Sequence, residues 1–528
     1  MLKLNTYAGL IRNWKELSEE LSVNVENLDR TARERAIITA AYEKWGKDVG
    51  NHINGQFAFA IYDTEAEELF CARDILGAEL FFYYETADGN FLFATEIKEL
   101  FDQQGFVREI NEQMIQFYLG FTYLPGEETL FKGVFKLEPG GYATFNKREG
   151  LKLGKYWELS FEPDESKSLD EWADEIENAF KASLECVCDA QDTPDTFLSG
   201  GVDSSYILAA SRAKTGYCAS YANQDISEEE QAKETAAHFG RGFEGVQVTA
   251  QDFLATIDDF LLAYEIPTAD IAGLSLYCAA KKVKEKSSLC FSGEGADEFF
   301  AGYSVYAPQS KIRKMLNPIY YGTTYIMNER EQSRFLQRYD NTRSTSSFIE
   351  QRCAPGKAYD ELGQKLYTDL RTYFDGSILY NSTKISRGTG LDIRMPYCDL
   401  RIFNIARRLP SRYKTTAEGN KIALRAAASR ILPHEVAYRK KLGFPVPARE
   451  WLKTPEFLQE ITRAFGSDAA KKFFREEELQ ALLSAFKGES PKLHAVWFKR
   501  RTANLWRYVW TIYTLIRWYE LFFEQSEK

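Results

Sequence analysis

A glycine-rich turn stands where an apolar segment passes into a helical pattern. Residues 197–205 read F-L-S-G-G-V-D-S-S, and an apolar helical pattern begins at Tyr206. Two adjacent glycines let the backbone fold tightly and approach an anion, several N–H groups then point inward, and the following helix adds its positive N-terminal end. The pattern predicts a strand, a loop and a helix that bind the pyrophosphate of ATP, although a chance turn is the alternative.

This loop lacks the Gly-x4-Gly-Lys-Ser/Thr spacing of a Walker loop, so transfer between the β- and γ-phosphates is not the first expectation. Its aspartate, Asp203, is placed to hold Mg²⁺ on the phosphates. We predict these nucleotide-binding residues in the loop: Leu198, Ser199, Gly200, Gly201, Asp203, Ser204 and Ser205.

A second loop of the same kind follows downstream. Residues 289–298 read L-C-F-S-G-E-G-A-D-E, again an apolar strand end followed by small residues and carboxylates. In an open parallel sheet, ligands lie beyond the carboxyl ends of strands, so the two loops define one site. Asp203 and Asp297 are then predicted to grip one Mg²⁺ from two sides, and the predicted nucleotide-binding set extends to Ser220, Ser292 and Gly293. Two acidic surface turns are the alternative.

Bulk composition narrows the class of protein. A chain of 528 residues is too long for one core, so at least two domains are expected. The hydrophobic share of 44% and charged share of 27% are ordinary for a soluble globular protein. A net charge of -11 argues against a nucleic-acid surface and favours small-molecule ligands.

The cysteines and the two ends of the chain suggest a location. Eight cysteines follow no repeating spacing, which predicts buried thiols in a reducing cytoplasm, and Cys186-Val187-Cys188 has no partner pair for zinc. No secretion signal is visible at the amino terminus. Residues 506–523 are interrupted by charges, so their aromatics predict a helix docked on the core and not a membrane span.

Hydrophobic patterning predicts an α/β protein with two parts. The first is antiparallel and β-rich, with strand patterns at 52–64, 67–72, 79–84 and 156–159. Residues 162–168 are polar and include a proline and two serines, which predicts a linker. From residue 169, helix and strand alternate in a doubly wound pattern, with strands near 195–198, 217–221 and 288–292, and beyond about residue 310 the patterns are mostly helical.

Four segments together carry a family resemblance: 199–205, the run S-G-E-G-A-D-E-F-F-A-G-Y at 292–303, I-R-M-P at 393–396 and Y-R-K-K-L-G-F at 438–444. On these segments the chain resembles class B asparagine synthetases over most of its length. The resemblance implies a glutaminase-like domain of the N-terminal-nucleophile type over 1–162. It also implies an ATP pyrophosphatase domain with a doubly wound parallel sheet and a helical extension over 169–528, which adenylates a carboxylate that ammonia then attacks.

Site roles follow from the resemblance position by position. Lys421 and Lys441 match lysines that face the ATP phosphates, where a positive charge stabilises the departing pyrophosphate. Glu294 matches the glutamate that helps to position the acyl acceptor or amine, and Glu228 aligns with an acidic residue near the nucleotide loop. A solvated basic run with Arg439 is the alternative for Lys441, and surface carboxylates are the alternative for both glutamates.

Departures from the family pattern concern the glutaminase half. The family carries a nucleophilic cysteine after the initiator methionine, whereas position 2 here is Leu. The recognisable pattern starts at Leu10, so the first strands are expected to be missing; the oxyanion pair Asn-Gly aligns with Ala8-Gly9, and the aspartate that holds glutamine aligns near Glu34. Without nucleophile or oxyanion donor, glutamine hydrolysis has no mechanism, and this half is predicted to be an inactive scaffold.

Two further departures concern the substrate. The family's aspartate before Arg394 is replaced by Thr383, and its methionine after Ser386 by Arg387. Both changes are expected at the acyl site, which places aspartate as substrate in doubt.

Three functions remain open. The first is a ligase that adenylates a small-molecule or peptide carboxylate and uses ammonia, free or from a separate glutaminase. The second is a cyclase that uses an amine already on its substrate, as in β-lactam synthetases and lasso-peptide cyclases. The glutamate of the β-lactam synthetase base pair is absent, because Pro410 stands near its position, but lasso cyclases stay open. The third is a silent scaffold subunit, against which the intact phosphate loops argue.

Overall fold

The computed structural model describes residues 2–222, 228–308, 319–440, 446–489 and 504–524. Its first part is built on antiparallel strands: β1 Leu2–Ile11, β2 Gly55–Asp63, β3 Glu68–Arg73, β4 Phe82–Glu85, β5 Phe91–Ala94, β6 Val134–Lys136, β7 Gly141–Asn146 and β8 Gly150–Lys155. The helices of this part are α1 Trp14–Glu20, α2 Arg30–Trp45, α3 Lys98–Phe101 and α4 Met114–Phe121.

These strands form two antiparallel sheets, with orders β1-β2-β3-β7-β8 and β5-β4-β6. Helix α2 covers one face of the larger sheet, where Ile37 and Ile38 join a buried cluster with Phe57 and Phe59. The predicted antiparallel region is thereby confirmed. The strand expected at 156–159 is wrong: β8 ends at Lys155, and the Tyr156 hydroxyl instead donates to the Arg73 carbonyl at 2.6 Å.

The second part is built on a parallel sheet with the order β11-β10-β9-β12-β13. Its strands are β9 Asp195–Phe197, β10 Thr215–Ser220, β11 Gly242–Gln247, β12 Leu289–Phe291 and β13 Asp392–Arg394. The predicted doubly wound sheet is confirmed. The interior strand β12, between β9 and β13, is buried throughout, because helices cover both faces of a parallel sheet.

Helices that accompany this sheet are α5 Leu169–Cys186, α6 Val202–Ala210, α7 Glu229–His238, α8 Ala250–Tyr264, α9 Ile271–Lys284 and α10 Ala296–Phe300. Further along the chain lie α11 Glu329–Phe335, α12 Thr345–Arg352, α13 Glu361–Asp369, a π-helical segment Leu370–Ile378, α14 Leu379–Thr389, α15 Leu400–Arg408, α16 Ile422–Ala428 and α17 His434–Ala437. The helical extension contains α18 Ala448–Trp451, α19 Pro455–Phe465, α20 Asp468–Phe473, α21 Glu476–Lys487 and α22 Leu505–Tyr519.

Helix α22 confirms the predicted docking of the aromatic segment. Trp510 and Trp518 are almost completely buried in a large core cluster that contains residues of both parts, and the Trp518 indole N–H donates to the Glu265 carbonyl at 2.8 Å. Within the described ranges, no helix has the length and apolar character needed to cross a membrane. All eight cysteines are free, but Cys186 and Cys188 are only half-buried, so the expectation of buried thiols is wrong for that pair.

Candidate functional site

The first predicted loop joins the carboxyl end of β9 to the amino end of α6. Gly201 is the N-cap residue of α6, and it has no side chain that could accept from the first N–H groups of the helix. The helix therefore presents backbone N–H groups at its start. Two hydroxyls shape the turn: Ser204 Oγ accepts from the Ser199 N–H at 2.9 Å, and Ser199 Oγ accepts from the Gly201 N–H at 3.1 Å. The loop therefore has the form of an anion-binding turn.

At Gly200 a side chain would displace the half-buried Gln231. A Cβ atom there would come within 2.2 Å of Gln231 Oε1. The Gly200 N–H donates to Glu228 Oε2 at 3.3 Å, and Glu228 is only 7% exposed. The surface alternative for Glu228 is thus wrong, since its carboxylate lies beside the loop.

The second loop leaves β12, which pairs with β9, so both loops lie at the same edge of the sheet. Gly295 has a φ of +94°, which a glycine adopts readily, and α10 begins directly after it. Ser292 Oγ donates to the Glu294 carboxylate. The two loops touch, because a Cβ on Gly293 would lie 3.4 Å from the Asp203 Cβ.

Lys421 joins the two predicted carboxylates. Its Nζ lies 2.5 Å from Asp203 Oδ2 and 2.7 Å from Asp297 Oδ1, and the lysine is 1% exposed. Lys421 has φ 55° and ψ 34°, in the left-handed region, which side chains other than glycine adopt rarely. The structure thus brings together three residues that the sequence placed in one site, although they come from three different segments.

The donor set at this point suits a divalent cation. Asp203 Oδ1 is buried and has no hydrogen-bond partner among the described residues, while Asp297 lies on the other side of the Lys421 ammonium. Carboxylate oxygens are the ligands that Mg²⁺ prefers, usually one or two of them together with phosphate oxygens and water. The residues present therefore fit Mg²⁺, which is predicted to use Asp203 and Asp297.

A cavity of about 1040 Å³ opens beside these loops. Eight of the predicted site residues line it: Leu198, Ser199, Asp203, Ser204, Ser292, Gly293, Glu294 and Asp297. Gly200, Gly201, Ser205 and Ser220 stand behind this wall, and their nucleotide-binding roles stay predictions. Ser220 is buried at the end of β10, between Ala219 and Tyr221, which do line the cavity.

Lys441 lies outside the described residues. Its neighbours Arg439 and Lys440 line the cavity, and Arg439 NH1 donates to the Gly200 carbonyl at 3.2 Å. At Arg439, the basic run is therefore tied to the phosphate loop instead of being fully solvated.

Sequence reasoning gave no role to Glu298 and Tyr303, although both belong to the quoted second-loop pattern. Both line the cavity, and the Tyr303 hydroxyl donates to Glu298 Oε1 at 2.6 Å. Burial, helped by the negative charge of Asp297, raises the pKa of Glu298 to about 8. Asp270 and Asn381, on α9 and α14, also line the cavity and lie in no quoted pattern.

The expected acyl-site role of Thr383 and Arg387 is wrong. Thr383 Oγ1 donates to the Ala78 carbonyl at 2.6 Å, and Arg387 NH1 donates to the Thr95 carbonyl at 2.9 Å. Both residues thus bind the first part of the protein, and neither lines the cavity. That expectation rested on the family pattern; within α14, Asn381 is among the residues that line the cavity.

In the first part, Glu34 is used to join α2 to β1. Its Oε2 accepts from the Tyr7 hydroxyl at 2.7 Å and its Oε1 from the Ile11 N–H at 3.0 Å. Glu34 is 1% exposed, and burial raises its pKa to about 6. A Cβ on Gly9 would come within 2.0 Å of the Gln56 carbonyl oxygen. Both carboxylate oxygens of Glu34, which lies near the position where the resemblance puts a glutamine-holding carboxylate, thus accept hydrogen bonds from within the chain.

Comparison with known proteins matches both parts of the chain. A family model described as asparagine synthase matches residues 175–520, and one described as a glutamine amidotransferase domain matches residues 3–157. Asparagine synthetase [glutamine-hydrolyzing] 1 of Bacillus subtilis (strain 168) is 29% identical over 504 residues, which cover 88% of this chain and 79% of that protein. A putative asparagine synthetase [glutamine-hydrolyzing] of Mycobacterium bovis is 29% identical over 565 residues, covering 98% of this chain and 84% of its own.

Proposed function

The chain belongs to the asparagine synthase family of ATP-dependent amide-forming ligases, and on that premise we propose that it activates a carboxylate as an acyl-adenylate. A carboxylate oxygen of the substrate attacks the α-phosphorus of ATP, and the bond to the bridging oxygen breaks to release pyrophosphate. A nitrogen nucleophile then attacks the acyl carbon, AMP leaves with the bonding electron pair, and the nitrogen loses a proton to give the amide.

One observation carries this proposal: Lys421 lies between Asp203 and Asp297 at the meeting point of two glycine-rich loops. A buried ammonium in this position neutralises the charge that builds on pyrophosphate as it departs, and electrostatic stabilisation of this kind is usually the largest catalytic term. The N–H groups at the start of α6 supply further positive potential for the phosphates.

The two aspartates would also hold Mg²⁺, for which Asp203 Oδ1 provides a buried acceptor without a hydrogen bond in the described chain. When bound, Mg²⁺ would neutralise the phosphate oxygens and orient them. Asp203 is positioned for this by the first turn of α6, and Lys421 keeps the two carboxylates together by balancing their charges.

For the nitrogen source, we propose ammonia or an amine that this chain does not release from glutamine. The hydrogen bonds of Glu34 to Tyr7 and Ile11 support this, because they occupy the carboxylate that would hold glutamine. Ala8, where an oxyanion donor is expected, has no side-chain N–H to offer. Either a separate glutaminase or free ammonia then supplies nitrogen, or the substrate carries its own amine.

The size of the cavity favours a substrate that carries its own amine. Small-molecule sites span roughly 300 to 1,000 Å³, and this cavity measures about 1040 Å³, at the upper limit. Such a cavity suits a carboxylate substrate larger than a single amino acid beside the nucleotide, as an internal-amide cyclase needs. The test is to measure product formation as a function of ammonium concentration. A rate that does not change with ammonium concentration supports the cyclase.

Product analysis tests the adenylation step. Incubation with ATP, Mg²⁺ and a panel of carboxylic acids and peptides should release AMP and pyrophosphate, and Asp203→Asn should lower the rate roughly 100-fold or more. Asp259→Asn, which removes an exposed ion pair with Lys281 outside the cavity, serves as the matched control. ADP and phosphate as products, or full activity in the Asp203 variant, would contradict the proposal.

A further inference from the structure

Asp270 is a carboxylate in the cavity wall that forms no ion pair within the described part of the chain. Asp270 caps α9: its Oδ1 accepts from the Ala272 N–H at 3.0 Å, and its Oδ2 accepts from the Asn381 amide. Asn381 is fixed in turn, because its Oδ1 accepts from the Tyr264 hydroxyl. The Asp270 carboxylate is thereby held in one orientation at the cavity surface.

No lysine or arginine among the described residues forms an ion pair with Asp270. Cations that line the cavity, Arg425, Arg439 and Lys440, come from the chain segment that follows Lys421. Burial raises the pKa of Asp270, and the hydrogen bonds from Asn381 and from the Gly273 and Ala272 N–H groups, with the charge of Arg507, offset that rise only in part. Asp270 is half-buried, and its hydrogen bonds do not neutralise its charge, so a positively charged ligand would be favoured beside it.

The surroundings of Asp270 fit an apolar stem that ends in a cation. Leu276, Tyr373 and Ile378 line the same cavity and offer aliphatic and aromatic surface. Gly273 keeps the approach open, because a Cβ there would lie 3.1 Å from Asn381 Oδ1 and 3.2 Å from Asp270 Oδ2. An ammonium is attracted both by a carboxylate and by an aromatic face.

We propose that Asp270, oriented by Asn381, binds an organic cation, a primary ammonium on an apolar stem, carried by the acyl substrate or by the attacking amine at a nitrogen other than the one that attacks. This proposal rests on the function above, because it identifies the chemistry of one substrate of that reaction. A substrate that brought a second carboxylate to this wall would be repelled, so Asp270 acts as a specificity-determining residue.

Direct binding tests the inference without any turnover. Saturation-transfer NMR of the full chain with n-pentylamine should show a saturable contact, and the neutral isostere n-pentanol should bind about tenfold more weakly or worse. Asp270→Asn should remove this preference, since asparagine caps a helix about as well as aspartate does but carries no charge. Asp360→Asn is the control, because Asp360 caps α13 through the Gly363 N–H and does not line the cavity.

Pyrophosphate exchange into ATP then distinguishes whether the acyl substrate or the attacking amine carries the ammonium. Exchange that ε-aminocaproate promotes more than caproate, with the difference lost in Asp270→Asn, assigns the ammonium to the acyl substrate. Equal exchange with both acids, together with faster AMP release on addition of 1,5-diaminopentane than on addition of n-pentylamine, assigns it to the attacking amine, whose second nitrogen is neutral when it attacks. Equal binding of amine and alcohol, or unchanged amine binding in the Asp270 variant, overturns the inference. Absence of exchange with every acid contradicts only the proposed function.

Discussion

Gly302 is the single residue on which the geometry of the candidate site depends most closely. A Cβ atom at this position would lie 1.7 Å from Asp297 Oδ1 and 2.1 Å from Lys421 Cε, both far shorter than any van der Waals contact. Lys421 reaches both carboxylates only because position 302 has no side chain. Gly419, which also lines the cavity, has open space where its Cβ would stand.

We therefore expect Gly302→Ala to lower the rate of AMP release roughly 100-fold or more, because the methyl group separates Lys421 from Asp297. Gly419→Ala should retain nearly full activity. Steady-state rates of both purified variants, with circular dichroism to compare their folding, provide the measurement. Equal rates for the two variants would show that the Lys421 contacts do not serve the chemistry.

A second expectation at the residue scale concerns the pH dependence of stability. Burial, together with the neighbouring Glu138, raises the pKa of Glu127 from 4.5 to about 7, whereas at Glu138 the charges of Arg352 and Arg371 and the hydrogen bonds with Glu127 and Lys155 together outweigh burial and lower the pKa. A raised carboxyl pKa means that the folded state binds the proton more tightly than the unfolded state. Its contribution to stability is therefore complete below about pH 4.5 and is lost as the pH rises through about 7.

Glu127→Gln should accordingly reduce the fall in melting temperature between about pH 5 and about pH 8. Glu149→Gln, at an exposed carboxylate paired with Lys152, provides the control, and its pH profile should follow that of the unmodified chain over this range. Differential scanning fluorimetry across the pH series measures the effect. If the melting temperature of the Glu127 variant falls with pH as steeply as that of the unmodified chain, Glu127 is not the group that binds this proton.

At the scale of elements, the sequence contains a complete helix start signal at the first helix of the second part, α5. Ser168 accepts from the Glu171 N–H and Glu171 accepts in return from the Ser168 N–H, which makes a capping box directly before α5. The predicted strands near 195–198, 217–221 and 288–292 are observed as β9, β10 and β12. Within the parallel sheet, the strands β11 and β13 were not predicted, because each is short or mixed with polar residues and is defined by its partner strand.

Ser168→Ala should lower the free energy of unfolding by about 1 kcal/mol, because it leaves N–H groups at the start of α5 without an acceptor. Ser333→Ala is a matched control, since the Ser333 hydroxyl donates only to the Arg330 carbonyl within α11. Urea unfolding followed by tryptophan fluorescence compares the two. A cost at Ser168 no larger than that at Ser333 would mean that the capping box does not stabilise the fold.

At the scale of the whole molecule, buried charges hold the two parts together. Asp375 lies 2.7 Å from Arg73 and 2.8 Å from Lys136, and all three side chains are almost completely buried. Asp375 belongs to the π-helical segment that also carries Tyr373 and Ile378 of the cavity wall. The first part is thus in contact with the element that lines the candidate site, which is consistent with a scaffold role.

Asp375→Ala should destabilise the protein by about 3 to 5 kcal/mol, because two buried cations lose their counter-charge. Glu109→Ala, which removes the exposed pair with Lys132, should cost at most about 1 kcal/mol. Chemical unfolding curves give both values. Similar costs for the two variants would show that the buried pairs do not join the parts.

The sequence by itself determined the two glycine-rich loops, their carboxylates and the α/β alternation, because a glycine turn after an apolar strand is a local pattern. Only the tertiary structure decided that Lys421 joins Asp203 to Asp297, that Asp270 and Asn381 face the cavity, and that Thr383 faces the first part instead. The physical reason is that hydrophobic periodicity tells which face of an element is buried but not which element covers it. Packing over long sequence separations makes that choice, and with it the chemistry of the substrate wall.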